Sequence, residues 1–172
     1  MPTTLPVPIE FRLPEGWRAV PPDDAGAPDV AFVALHPQPD DGFTANITID
    51  GAYRPDEATL EEIADGSLER MREVAESVVA SDRHEVGSPE APGLTQKLTF
   101  SAVSGGAPRE LVQFQVYLSM LDVRDPKQRA VVRLALTVTQ NQFGAVLGDF
   151  QEFLRTVRPD TAAGTGPAPG TE

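Results

Sequence analysis

The chain has 172 residues, 26 acidic against 14 basic side chains for a net charge of −12, two histidines and no cysteine. A single domain of this length buries about 70% of the surface its unfolded chain exposes, enough to hold a core without staples. The missing cysteines exclude disulfide, thiol and iron–sulfur chemistry, His36 and His84 cannot form a three-His metal centre, and the acidic balance supplies no basic patch for nucleic acid or an anionic membrane.

Residues 1–8 carry three prolines and read as an extended lead-in, without the basic and apolar regions of a signal peptide. No run approaches the ~18 apolar residues of a membrane span, so the expected compartment is the cytoplasm. Ile9 to Leu13 alternates apolar and polar and predicts a first strand, continued briefly after the Pro14-Glu-Gly16 turn by Trp17 to Val20. Val30 to His36 and Phe43 to Asp50 predict two further strands forming a hairpin. Between Leu60 and Val78, apolar residues recur at helical spacing, and Thr59 with Glu62 forms a capping-box pattern at the start. Gly66 is a point where this helix could break in two, since glycine costs about 1 kcal/mol relative to alanine.

Leu94–Val103, Glu110–Leu121 and Arg129–Val138 predict three long strands whose short connections require antiparallel pairing. A last helix is expected from Asn141 as N-cap, with Phe143, Val146, Phe150 and Phe153 on one face and Arg155 and Arg158 in its final turn. Residues 159–172 are small, Gly- and Pro-rich and read as a disordered tail. The expected organisation is one α+β domain over 9–158, an antiparallel six- or seven-stranded sheet flanked by two or three helices.

Alternation sorts the strands into two faces. Leu98, Phe100 and Ala102 join Phe43, Ile47, Phe114, Val116, Leu134 and Leu136 on an apolar face able to pack under both helices. The opposite face carries Lys97, Thr99, Gln113, Gln115, Tyr117, Arg133 and Asn46. Two readings compete for it. An antiparallel sheet can simply face water on one side, or Tyr117, Arg133, Gln113, Gln115 and Asn46 form a platform for a partner, with amides for its backbone and Tyr and Arg as anchors. Trp17 is a further partner-binding candidate, read equally as a core residue whose indole N–H needs an acceptor.

Catalytic and metal patterns are missing from the sequence. Asp23-Asp24 and Asp40-Asp41 lie in Pro/Gly loops without EF-hand spacing, no Gly-x-Ser-x-Gly accompanies either histidine, and Gly105-Gly106 is a hairpin turn. No catalytic residue, metal or cofactor is expected. The acid-rich helix, with eight acids against three arginines over residues 54–76, reads as a solvated face, or as a docking site for a basic partner.

Phe11-Arg-Leu-Pro-Glu-Gly-Trp17, Gly42-Phe-Thr-Ala-Asn-Ile47 and Phe153-Leu-Arg-Thr-Val-Arg-Pro159 stand in the order of three signatures of the PsbP-like fold. The chain resembles the LpqN/LpqT branch of that superfamily over residues 9–159. The resemblance implies an α/β/α sandwich and a binding, assembly or chaperone role without catalysis. It departs from the branch in having no signal peptide and no Cys to lipidate, hence the cytoplasmic expectation. The expected function is a non-enzymatic protein-binding module, an adaptor or chaperone serving a secretion or toxin system, with a protein partner or a second copy of itself. The alternatives are a small-molecule-binding protein with a pocket near Trp17, and an immunity protein neutralising a basic toxin.

Overall fold

In the computed structural model, residues 9–24, 30–39, 43–54, 59–87, 92–104, 106–121 and 129–159 are described. The lead-in, the Asp40-Asp41 pair and residues 160–172 fall outside these ranges, whereas Pro159, expected to open the tail, is paired with Ile9. The first half contributes β1 (Ile9–Glu10), β2 (Arg18–Val20), β3 (Phe32–Leu35) and β4 (Asn46–Arg54), followed by α1 (Leu60–Val74). The second half contributes β5 (Glu76–Gly87), β6 (Pro92–Ser104), β7 (Ala107–Leu121), β8 (Arg129–Thr139), α2 (Gln140–Thr156) and β9 (Arg158–Pro159). Seven strands form one sheet in the order β2-β3-β4-β8-β7-β6-β5, every neighbouring pair antiparallel. α1 carries the chain from β4 to the far edge, and the meander from β5 to β8 returns to pair with β4. Separately, β1 pairs with β9, where the Arg158 guanidinium meets the Glu10 carboxylate at 3.1 Å. Arg158 therefore belongs to this ladder and not, as the sequence led one to expect, to the last turn of α2.

Both helices begin on a threonine. Thr59 Oγ1 accepts from the Glu62 amide at 3.0 Å while Glu62 Oε1 accepts from the Thr59 amide at 3.0 Å, a complete capping box. Helix α1 then runs unbroken through Gly66. For α2 the cap is Thr139, whose Oγ1 accepts from the Gln142 amide at 3.2 Å. Asn141 was the expected cap, but β8 ends directly in α2 and leaves Thr139 as the last extended residue. The end of α1 differs too. The apolar spacing continues to Val78, but Ala75 is extended, Ser77 has φ +57°, and residues from Glu76 onward form β5. Pairing with β6 overrides the helical pattern there, leaving Val74 exposed and placing His84 within a strand.

Strand register decides which helix covers which side chains. Phe114 stands opposite Lys97 and Leu136, Val116 opposite Thr95 and Leu134. The apolar phase of β6 (Leu98, Phe100) therefore shares a face with Gln113 and Leu111, contrary to the expectation that it lies with Phe114. Each face buries one helix, so the expectation of both helices on a single face is corrected to one on each. α2 lies over β7 and β8 and buries Val146, Phe150 and Phe153 against Ile47, Ile49, Leu134 and Leu136. The rings of Phe114, Phe150, Phe153, Phe11 and Phe32 form a chain of contacts with centroids 5.0 to 5.9 Å apart. α1 lies over β5, β6 and β7, with Leu60, Ile63 and Ala64 against Leu94, Tyr117 and Val131, and Leu68 and Met71 against Leu98, Phe100 and Leu111. Phe43, expected with Ile47, packs with this second group.

Phe150 is fully buried between Phe114 and Phe153. Phe150→Ala is expected to cost about 3–5 kcal/mol in urea unfolding through the cavity it leaves. Gly148 sits in the interior of α2 with no heavy atom within 4 Å of where a Cβ would stand. Gly148→Ala is expected to raise stability by about 1 kcal/mol in the same measurement.

Candidate functional site

The sheet face expected to be open is roofed by α1, and the polar residues assigned to it form a closed hydrogen-bond network. At its centre, Gln115 is fully buried and uses its whole capacity. Its Nε2 donates to Ser67 Oγ (3.1 Å) and Gln113 Oε1 (2.6 Å), while its Oε1 accepts from Gln96 Nε2 (2.7 Å) and the Tyr117 hydroxyl (2.9 Å). Gln96 is equally saturated, donating also to the Ala64 carbonyl (3.2 Å) and accepting two bonds from Arg83, at 3.1 and 2.7 Å. Gln113 passes its own N–H to Thr137 Oγ1 at 3.0 Å. Two ion pairs close the ends: Arg83 to Asp65 at 2.9 Å on one side, Arg133 to Asp50 at 3.2 Å on the other.

Of the residues proposed as a platform, Tyr117 (2% exposed) and Gln115 (0%) are thus beneath a helix, and Gln113 is half-buried beside them. The expected open platform is corrected for these residues: the sheet needs a helix over this face to bury Leu94, Leu98 and Leu111, which share it. Asn46 lies on the same side farther along β4, its Nδ2 donating to the Thr44 carbonyl at 3.2 Å. Trp17 is on the other side of the sheet, 7% exposed in the α2 core, with Nε1 donating to Asp149 Oδ2 at 3.0 Å and the His36 ring edge-on at 5.1 Å. The structure does not bring Trp17 together with the others.

Arg133 and Tyr117 do meet in a cleft of about 370 Å³ between α1 and the β4–β8 ladder. Asp50, Gly51, Ala52, Ile63, Arg70 and Val131 complete its lining. Arg133 is held from two directions, NH1 donating to Ser67 Oγ and NH2 to Asp50 Oδ2, both at 3.2 Å. Asp50, Ser67, Arg70 and Arg83 were not picked out from the sequence. A signal existed for three of them: Ile63, Ser67 and Arg70 follow helical spacing onto one face of α1, and Asp50 shares a strand phase with Asn46.

A second surface lies on the α2 side. α2 packs on β7, β8 and β4, and near its start the Phe143 ring carries Lys97 Nζ 4.8 Å from its centroid. This leaves the β5–β6 half of the face bare, with Val79, Val86 and Val103 exposed at 56%, 42% and 75% among Thr95, Thr99, Ser101 and His84. Lys97, Thr99 and Ser101 are thus half-buried on the side opposite Gln113 and Tyr117. Among the described residues, no group of three or more His, Asp or Glu is arranged to hold a metal ion, and no helix is long and apolar enough to cross a membrane.

Gln115→Leu removes the shared partner of Gln96, Tyr117, Ser67 and Gln113. Several polar groups are then buried without bonds, and a loss of about 2–4 kcal/mol is expected in urea unfolding. Asp65→Asn, at the exposed end of the network, is expected to cost less than about 1 kcal/mol in the same assay.

No family model matches the sequence, and no curated protein matches it. Solved structures do match the architecture. LpqN of Mycobacterium tuberculosis, described as involved in cell envelope biogenesis, superposes with a TM-score of 0.62 at 15% identity, over 90% of this chain and 86% of that one. The Ran-binding protein Mog1p of Saccharomyces cerevisiae gives 0.56 at 15% identity over 88% and 89%, and the cyanobacterial PsbP of Synechocystis gives 0.56 at 14% over 88% and 86%. At these identities the likeness is one of fold. A seven-stranded antiparallel sheet with one helix on each face, in this strand order, is the PsbP-like fold.

Proposed function

We propose that this chain is a non-enzymatic protein-binding module, an adaptor or chaperone, that docks its partner on the bare half-sheet formed by β5 and β6. The observation that carries the reading is the exposure of Val79, Val86 and Val103 on one surface of an otherwise well-filled sheet. Exposed apolar side chains spaced along one face, with Thr95, Thr99 and Ser101 and the charges of Glu76, Lys97 and Glu110 between them, favour a protein contact over plain solvation. That a yeast protein of the same fold is described as Ran-binding supports a protein-binding use of this architecture.

The partner engages the face and not the strand edge. Edge strand β5 has register shifts between Glu76 and Val79 and between Ser81 and His84, with Ser77 and Asp82 at φ +57° and +52°. Such bulges interrupt the row of free backbone groups that an added strand would need. A partner presenting an apolar patch ringed by polar groups fits; an extended strand does not.

The test compares wild-type bait with Val79→Glu/Val103→Glu bait in native lysate of the source cells, alongside light scattering of the purified proteins. Both valines are exposed, so the variant is expected to melt as the wild type does. A protein recovered by the wild type and depleted at least tenfold by the variant supports the reading. A dimer that the variant dissociates identifies the partner as a second copy. Equal recovery by both baits, or recovery of nothing with a monomer in solution, overturns it.

A further inference from the structure

The cleft between α1 and the β4–β8 ladder is on the opposite side of the sheet from the proposed docking face, and different observations bear on it. Its volume, about 370 Å³, falls at the small end of the range for organic ligands, roughly 300–1,000 Å³. Its wall is divided. Ile63, Val131, Ala52 and Gly51 give an apolar part, while Asp50, Arg70 and Arg133 bring formal charge.

Those charges do not cancel. Arg133 and Asp50 pair at 3.2 Å with both side chains 26% exposed, and neutralise each other. Arg70 makes no ion pair among the described residues, and the neighbouring Glu69 is engaged by Arg72. Two cations against one anion leave a local charge of +1 in a protein whose net charge is −12. Arg70 also leans back along α1: its NH1 is 3.5 Å from where a Cβ at Gly66 would stand. Side chains on a helix tilt this way, toward the N-terminus, which carries the guanidinium toward the turn holding Ile63 and Ser67. Arg133 is already oriented, since Ser67 and Asp50 take two of its five N–H groups. The Tyr117 hydroxyl donates inward to Gln115, so it contributes surface and no donor.

We propose that this cleft binds a small organic monoanion, a carboxylate on a short apolar body, with Arg70 as its counter-ion, Arg133 as a second donor and Ile63, Val131 and Ala52 against the apolar part. A guanidinium presents the planar fork that a carboxylate fits.

Isothermal titration with benzoate and isocaproate tests this, with benzamide as the neutral isostere, benzylamine as the cation and inorganic phosphate as an anion lacking an apolar body. Saturable binding of the carboxylates, weakened at least tenfold by Arg70→Gln and by raised salt, is expected, while the other three probes bind at least tenfold less. Arg70→Lys, which keeps the charge but loses the fork, is expected to fall between. Arg70 is exposed and outside the buried network, so its variants are expected to fold, as near-ultraviolet circular dichroism would verify. Failure of both acids to bind at millimolar concentration, equal binding of benzamide or benzylamine, phosphate binding as well as benzoate, or an unchanged affinity in Arg70→Gln would each overturn the proposal. The Val79→Glu/Val103→Glu protein is expected to bind benzoate as the wild type does, which separates this result from the fate of the docking face.

Discussion

One buried side chain, Gln115, with all four of its hydrogen-bond positions filled, centres the network that seats helix α1 on the sheet. A buried amide with any vacancy would destabilise the fold, and one with every position filled restricts the helix to a single placement. The network achieves this by joining strands β5, β6, β7 and β8 to the α1 positions Ala64, Asp65 and Ser67. A purely apolar interface would tolerate sliding or rotation of the helix; directional bonds from Gln96 to the Ala64 carbonyl and from Gln115 to Ser67 do not. The cleft depends on the same arrangement, because Ser67 also holds Arg133.

Each helix covers only part of its face, and the two are offset along the sheet. α1 sits over the β5–β7 side and α2 over β7 and β8. The offset follows from where the apolar side chains are. β6 directs Leu98 and Phe100 toward α1, whereas β4 and β8 direct Ile47, Ile49, Leu134 and Leu136 toward α2. What each helix leaves uncovered supplies the molecule's two candidate surfaces. They differ in chemistry as well as position: one is broad and carries exposed valines among Glu76, Lys97, Glu110 and hydroxyls, the other is concave and cationic. The acids of α1 belong to neither; Glu61, Glu62, Glu69 and Glu73 face solvent.

Much of the architecture was legible in the sequence. Thr59 and Glu62 announced the start of α1, and the alternation of β6, β7 and β8 together with their short connections announced an antiparallel meander. The expected hairpin of the early strands is the β3–β4 pair. The apolar stripe at Phe143, Val146, Phe150 and Phe153 announced α2. The continuation of α1 to Val78 was misleading because Val74, Ala75 and Val78 satisfy helical spacing although the chain at Ser77 has turned into a bulged edge strand. Only long-range pairing with β6 chooses between those states.

The sequence by itself determined which residues alternate within each strand, where the capping box lies, and that the chain has no cysteine chemistry. Those properties are local, set by side-chain periodicity and by hydrogen bonds spanning three residues. The tertiary structure alone decided how the alternating faces of different strands line up. A shift of one residue between β6 and β7 moves every side chain of a strand to the other face. The register that puts Lys97 opposite Phe114 therefore buried Gln115 and Tyr117 under α1 and turned Thr99 and Val103 outward. It also brought Arg70, Arg133 and Asp50, residues scattered over three elements, to the walls of one cleft.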